Sequence, residues 1–161
     1  MSNDDLEKMQ DEKRYIRFRI GPDEYASRLM DVQEVIEYSP PRRIPNTNDD
    51  FVGVINVRGE IVGVIDLRSK LGYTEYNKDK GVLVVFNTEF GLMSCVVDSL
   101  IDVKEIESFD SEAFKKMKSR VPREYILGLF IDDDHFVTII DLKMILQKED
   151  VTSFETHLKI A

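Results

Sequence analysis

Residues 53–72 read GVINVRGEIVGVIDLRSKLG. Two short apolar runs rich in β-branched residues, "FVGVINV" from Phe51 and "EIVGVID" from Glu60, are parted by Arg58-Gly59. The pattern predicts a β-hairpin that reverses on those two residues. Glycine takes positive φ without steric cost, so Gly59 suits the turn, and Arg58 is expected at a hairpin end on the rim of a core. Asp66 is expected to cap a short helix, "DLRSKLG", with Leu67 and Leu71 facing inward and Gly72 ending it.

The layout returns 75 positions later in "YILGLFIDDDHFVTIIDLKMIL". Gly53 falls on Gly128, Val62 on Val137, Val64 on Ile139, Asp66 on Asp141, Leu67 on Leu142 and Leu71 on Leu146. The charged turn of residues 58–60 falls on Asp133-Asp134-His135. A weaker echo, "DVQEV" and "DVKEI", is 71 positions apart. Two copies are too few for a solenoid. They predict a mainly β fold of two similar lobes, about residues 14–80 and 81–146, each of about five short strands curled into a barrel to remove its edges. A lobe this small has a marginal core, so the two are expected to bury apolar surface against each other and to leave a groove at the junction. Residues 1–13 are expected to be a mobile lead and residues 151–161 a tail.

Further elements are legible outside the repeat. "RYIRFRI" alternates and predicts a half-buried strand, Gly21-Pro22-Asp23 a turn, and "EYASRL" the returning arm. Asp31 and Glu34 have capping-box spacing, which predicts a short helix over "MDVQEVIEY" with Val32, Val35 and Ile36 on one face. "GVLVVFN", "EFGLMSCVVD" and "DVKEIESF" predict three strands buried on both faces, and "DSEAFKKMKSRVPREY" a stretch part helix and part loop.

Composition excludes several classes. The chain has 161 residues, 42% apolar and 33% charged, a globular balance. Its net charge of −9 repels nucleic acid and anionic membranes. No apolar run reaches the ~18–20 residues that span a bilayer, and the acidic start is no secretory signal. The single cysteine, Cys95, fits a reducing cytoplasm and a buried, inert thiol. The two histidines, His135 and His157, are not placed to form a catalytic arrangement, and the chain has no phosphate loop or GxGxxG. Asp132-Asp134 lacks calcium-loop spacing and reads as a solvated hairpin tip. The basic stretch 115–123 reads as a solvated surface, and Asp98 and Asp102 as strand ends. No enzymatic activity, metal or cofactor is expected.

Four segments in order resemble the CheW-like chemotaxis coupling proteins: "FRIGPDEYASRLMDVQEVIEY", "RIPNTNDDFVGVINVRGEIVGVIDLRSKLG", "VLVVFN…CVVDSLIDV" and "YILGLFIDDDHFVTIIDLKMIL". The resemblance covers nearly the whole chain and implies a domain over residues 14–150 of two SH3-like β-barrels packed side by side. It implies an adaptor that joins the cytoplasmic tips of chemoreceptors to the regulatory domain of a CheA-like histidine kinase. Such a chain is a monomer in isolation and assembles in arrays without inserting into the membrane. It implies a receptor contact near Val32, Glu34, Val35 and Arg58. Ile55 and Val57 are expected to add apolar walls for a helical hairpin, and Arg58 to reach a carboxylate or carbonyl, or to pair with Glu34. An adaptor of the same type for another kinase pathway, or a small-molecule-binding barrel, is the alternative. By length, neither the receiver domain of a CheV-like protein nor a full kinase is expected. Gly63 stands where the family has proline, and the strand edge there is expected to pair or bend differently.

Overall fold

In the computed structural model, which describes residues 2–45, 50–89, 91–116 and 118–146, the repeated hairpin forms twice. Strands β4 (Phe51–Val57) and β5 (Glu60–Asp66) lead into helix α2 (Leu67–Lys70), and β9 (Ile126–Asp132) and β10 (His135–Ile140) lead into α3 (Leu142–Ile145). Arg58 and Asp133, 75 positions apart, take φ of 50° and 52° at the two turns. Asp66 and Asp141 cap the two helices, accepting from the amides of Arg68 and Met144. Each side chain satisfies an amide that the short helix cannot bond internally.

The remaining strands are β1 (Arg14–Ile20), β2 (Asp23–Arg28), β3 (Val32–Glu37), β6 (Val82–Thr88), β7 (Gly91–Val97) and β8 (Ser99–Glu105). They build two five-stranded sheets, β8-β1-β2-β10-β9 and β3-β6-β7-β5-β4. The expected division at residue 80 is not how strands are shared. Each sheet takes two strands from one half of the chain and three from the other, because β2 pairs in parallel with β10 and β5 with β7. The halves are thus exchanged across the fold.

The pairings also fix the true repeat. Tyr25 faces Thr138 as Met93 faces Gly63, and Thr138 is 75 positions after Gly63. Tyr25 and Met93 are therefore equivalent, 68 positions apart. The same shift relates β3 to β8: Val35 faces Val84, and Val103 faces Ile16, which is 68 positions before Val84. The echo at 71 is out of this register by three residues.

Each sheet closes on itself. The chain leaving edge strand β3 returns to the opposite edge, where Arg42 and Val54 exchange backbone hydrogen bonds of 2.7 and 2.9 Å. Asp110, 68 positions after Arg42, does the same with Leu129, at 3.0 and 2.8 Å. This explains the paired glycines. A Cβ on Gly53 would sit on the Arg42 carbonyl, and one on Gly128 on the Phe109 ring and the Asp110 carbonyl. The closing strands approach too closely for any side chain there.

Three apolar clusters result. Ile55, Val62, Val64, Leu83, Val85 and Val96 fill one barrel, and Tyr15, Ala26, Ile106, Val137 and Ile139 the other. The largest joins the sheets, with Phe18, Ile20 and Tyr25 from one meeting Phe86, Met93 and Cys95 from the other, and both short helices adding leucines. The lobes bury apolar surface against each other, as the small size of each requires.

Several local expectations change. "VQEVIE" is strand β3, preceded by a single 3-10 turn at Leu29–Asp31. Its β-branched residues pair along β6, and that ladder overrides the local helix signal. β6 and β7 are buried on both faces, whereas β8 is an edge strand with Leu100 and Val103 exposed. The lead contains helix α1 (Asn3–Asp11), started by a Ser2–Asp5 capping box, with none of its residues buried. Gly63 is not at an edge, since β5 lies between β7 and β4. A Cβ there would stand 2.7 Å from the Met93 sulfur. The expected tail, 151–161, lies outside the described residues, as does His157.

Candidate functional site: two clasped barrel rims

Edge strand β3 has a bulge between Val32 and Glu34. Side chains alternate along a strand, so the extra residue puts Val32 and Val35 on one face and Glu34 on the other. Val32 faces Phe86 and Val35 faces Val84, both in the cluster between the sheets. Glu34 faces Val85, inside the barrel. From there its carboxylate accepts a hydrogen bond of 2.5 Å from Arg58, at the far edge of the sheet. The Arg58 side chain is 72% exposed and that of Glu34 21%. Glu34 raises the already high pKa of the guanidinium, chiefly by this hydrogen bond. The pair clasps the mouth of the barrel, and the remaining guanidinium donors face solvent.

The second barrel is clasped at the equivalent place by different chemistry. Asp102, equivalent to Glu34 by the 68-residue shift, accepts Nε and a terminal nitrogen of Arg17 at 2.6 and 2.7 Å. Arg17 also donates to Asp132 at 3.0 Å, and Lys104 lies 3.1 Å from the same oxygen. β8 and β9, the two edges, are thereby joined. The cation is on the hairpin turn in one barrel, and the anion is at the hairpin end in the other. Hydrogen bonds from Arg17 hold the Asp102 carboxyl below its ordinary value, and Lys104 does the same for Asp132. Asp132 therefore clasps a barrel, where the sequence suggested a solvated tip.

The six expected site residues are not on one wall. Val35, 36% exposed, and half-buried Val32 face the side of the inter-sheet core. Ile55 is buried inside the barrel, and half-buried Val57 packs against the same cluster, so these two support the rim from within. None of the six lines the seam crevice of about 220 Å³ between α2 and the stretch Pro122–Tyr125. Leu100 and Val103, which the sequence reading did not single out, are 37% and 53% exposed. Leu100 faces Phe18 and Val103 faces Ile16, so they repeat Val32 and Val35 on the other sheet. A search at a shift of 68 would have found them.

Arg68 is buried and satisfied. It bonds both oxygens of Asp66, one oxygen of Asp98 and the carbonyls of Asn77 and Lys80, while its plane lies 4.5 Å from the Tyr76 ring centroid. It ties α2 to the loop before β6. Asp98 also accepts from the Gly21 amide, so it serves as a structural anchor. Cys95 is fully buried, which pushes its thiol pKa up and keeps it protonated. Among the described residues no group of three or more His, Cys, Asp or Glu side chains could hold a metal, and no helix is long and apolar enough to cross a membrane.

Two closed, mutually packed barrels with charged clasps and apolar edge residues define a twin-barrel binding scaffold. The comparisons assign it more closely. The model of the CheW-like domain matches residues 14–150. A chemotaxis protein CheW of Klebsiella aerogenes is 29% identical over 148 residues, covering 91% of this chain and 89% of that one. The chemotaxis protein CheW of Helicobacter pylori is also 29% identical, over 84% and 82% of the two chains. The crystal structure of the scaffolding protein TtCheW from Thermoanaerobacter tengcongensis has the same fold, with a TM-score of 0.74 at 24% identity over 86% of this chain and 94% of that chain. The chain belongs to the CheW-like family, whose members are chemotaxis adaptors that act as scaffolds and are not enzymes.

Proposed function

We propose that this chain couples the cytoplasmic tips of chemoreceptors to the regulatory domain of a CheA-like histidine kinase, as a soluble cytoplasmic scaffold within receptor arrays. In this reading the receptor's helical hairpin lies along the fringe of the inter-sheet core. Val32 and Val35 of β3, with Leu100 and Val103 of β8, receive its apolar stripe. Arg58 receives a carboxylate or carbonyl at the end of the stripe. The observation that carries the reading is Arg58 itself: exposed, yet held in one orientation by Glu34. A guanidinium positioned before its partner arrives loses less side-chain freedom on binding.

Each contact of such an adaptor is modest, and arrays gain strength from many linked contacts. The test is co-capture. The tagged full chain is mixed with a chemoreceptor cytoplasmic fragment and a CheA-like kinase, and the bound fraction is resolved. The reading expects a ternary complex in which receptor and kinase are retained together. Retention of neither partner, or of one always at the expense of the other, contradicts it.

A further inference from the structure

The barrel built on β3-β6-β7-β5-β4 also carries a cleft that none of the residues of the proposed receptor contact lines. Its volume is about 550 Å³, within the roughly 300–1,000 Å³ of ligand pockets. We propose that it is a separate peptide-binding site that takes an extended, proline-containing segment bearing a carboxylate.

The walls are preformed. One is the strap that closes the barrel, with Tyr38, Pro40 and Pro41. It is pinned at both ends, by the Tyr38 amide on the Gly81 carbonyl at 3.3 Å and by the Arg42–Val54 exchange. The other is the loop around Tyr76 and Lys78, which buried Arg68 fixes through the carbonyls of Asn77 and Lys80. Arg68 also holds the Tyr76 ring by stacking. A cleft whose two walls are each tied down binds without the cost of ordering them.

The lining selects the ligand. Flat rings on both walls, Tyr38 and Pro40 against Tyr76, pack best on the flat pyrrolidine rings of an extended chain. The unused polar groups are mainly donors. The Tyr38 hydroxyl makes no hydrogen bond among the described residues, and exposed Arg43 and Lys78 make no ion pair among them. The Asp66 carboxylate in the cleft is already occupied by Arg68. Proline peptides offer carbonyl acceptors and few N–H donors, which matches such a lining. Two cations, one on each wall, add the preference for a carboxylate. Asp79 beside Lys78 selects against a second anion at that point.

The test titrates the ¹⁵N-labelled full chain with the peptide Pro-Pro-Glu-Pro-Pro and with the same peptide carrying lysine for glutamate. Saturable shifts at Tyr38, Val52, Tyr76 and Lys78 are expected for the first. The lysine peptide is expected to bind about tenfold more weakly, as is the first peptide to Arg43→Glu/Lys78→Glu. Arg58→Glu is expected to leave peptide binding unchanged, which separates this site from the receptor contact. Absence of saturable shifts, shifts centred elsewhere, or equal binding by the two peptides or by the charge-reversed variant overturns the proposal. Both substitutions are at exposed positions, and a retained dispersed spectrum shows that the variant is folded.

Discussion

Arg58 and Glu34 are 24 residues apart in the chain and on opposite edges of one sheet, yet their side chains meet at 2.5 Å across the barrel mouth. The other barrel has Asp102 in the place of Glu34 and, at the facing edge, Asp132, one residue before the equivalent of Arg58; Arg17 bridges the two and Lys104 pairs with Asp132. One architecture is closed twice, with the charges arranged differently. The second clasp is internally satisfied. The first leaves guanidinium donors exposed at its rim, and the proposed receptor contact uses that clasp alone.

The two glycines that align the repeat provide a test of barrel closure. Gly53→Ala and Gly128→Ala each force a methyl group into the closing strand, and Gly53 also has φ of 149°. Each is expected to lower stability by about 1–3 kcal/mol in urea unfolding, the usual cost of overpacking. Gly59→Ala meets nothing within 4 Å and has only its φ of 86° to contend with. It should cost about 1–2 kcal/mol. If Gly128→Ala matches the parent chain in stability, the close approach of the Asp110 strand is wrong.

Arg68 gives the largest predicted effect on stability. Arg68→Met removes a cation that is 1% exposed and leaves Asp66 buried without its partner. Breaking a buried pair from one side costs about 3–5 kcal/mol. Urea unfolding should show a loss in that range, with further loss of the Tyr76 stack. A change below about 1 kcal/mol would mean that the network is not formed in solution.

The acidic clasp predicts a pH dependence. Asp102 and Asp132 ionise below their ordinary value of 3.8, Asp102 because of Arg17 and Asp132 because of Lys104. A carboxylate with a depressed folded pKa stabilises the fold above its unfolded value, and that contribution disappears as pH falls through the folded one. The stability gap between the parent chain and Asp102→Asn should therefore be constant from neutral pH down to about 4 and close below it. Unfolding midpoints measured at intervals from pH 7 to 2 check this. A gap that persists unchanged at pH 2 contradicts an ionic clasp.

The hairpins at 51–66 and 126–140, their turns and their aspartate caps were legible because each rests on local chemistry: β-branched runs, a charged reversal and an N-cap side chain. β3 was not. Val32, Val35 and Ile36 fit one helical face as well as a bulged strand, and only pairing with β6 decides between them. The exchange of strands between the halves was hidden for the same reason. It is fixed by the parallel pairing of β2 with β10 and β5 with β7, contacts across more than a hundred residues in the first case and about thirty in the second. Of the expected contacts, the Arg58–Glu34 pair, one of the alternatives open to those two side chains, is formed. Ile55 and Val57 were misplaced because alternation says which residues share a face but not which face turns inward.

The central claim is that the Arg58–Glu34 rim and the valine fringe beside it bind the receptor tip. The direct measurement is the equilibrium affinity of the full chain for a chemoreceptor tip fragment, with Arg58→Glu and Val35→Glu compared with the parent chain at a temperature where all three are folded. Both side chains are at the surface, so the account predicts that each variant stays folded, with Arg58→Glu lowered by no more than a few degrees through loss of its exposed pair, and that each binds at least tenfold more weakly. Parent-like affinity in both would contradict it.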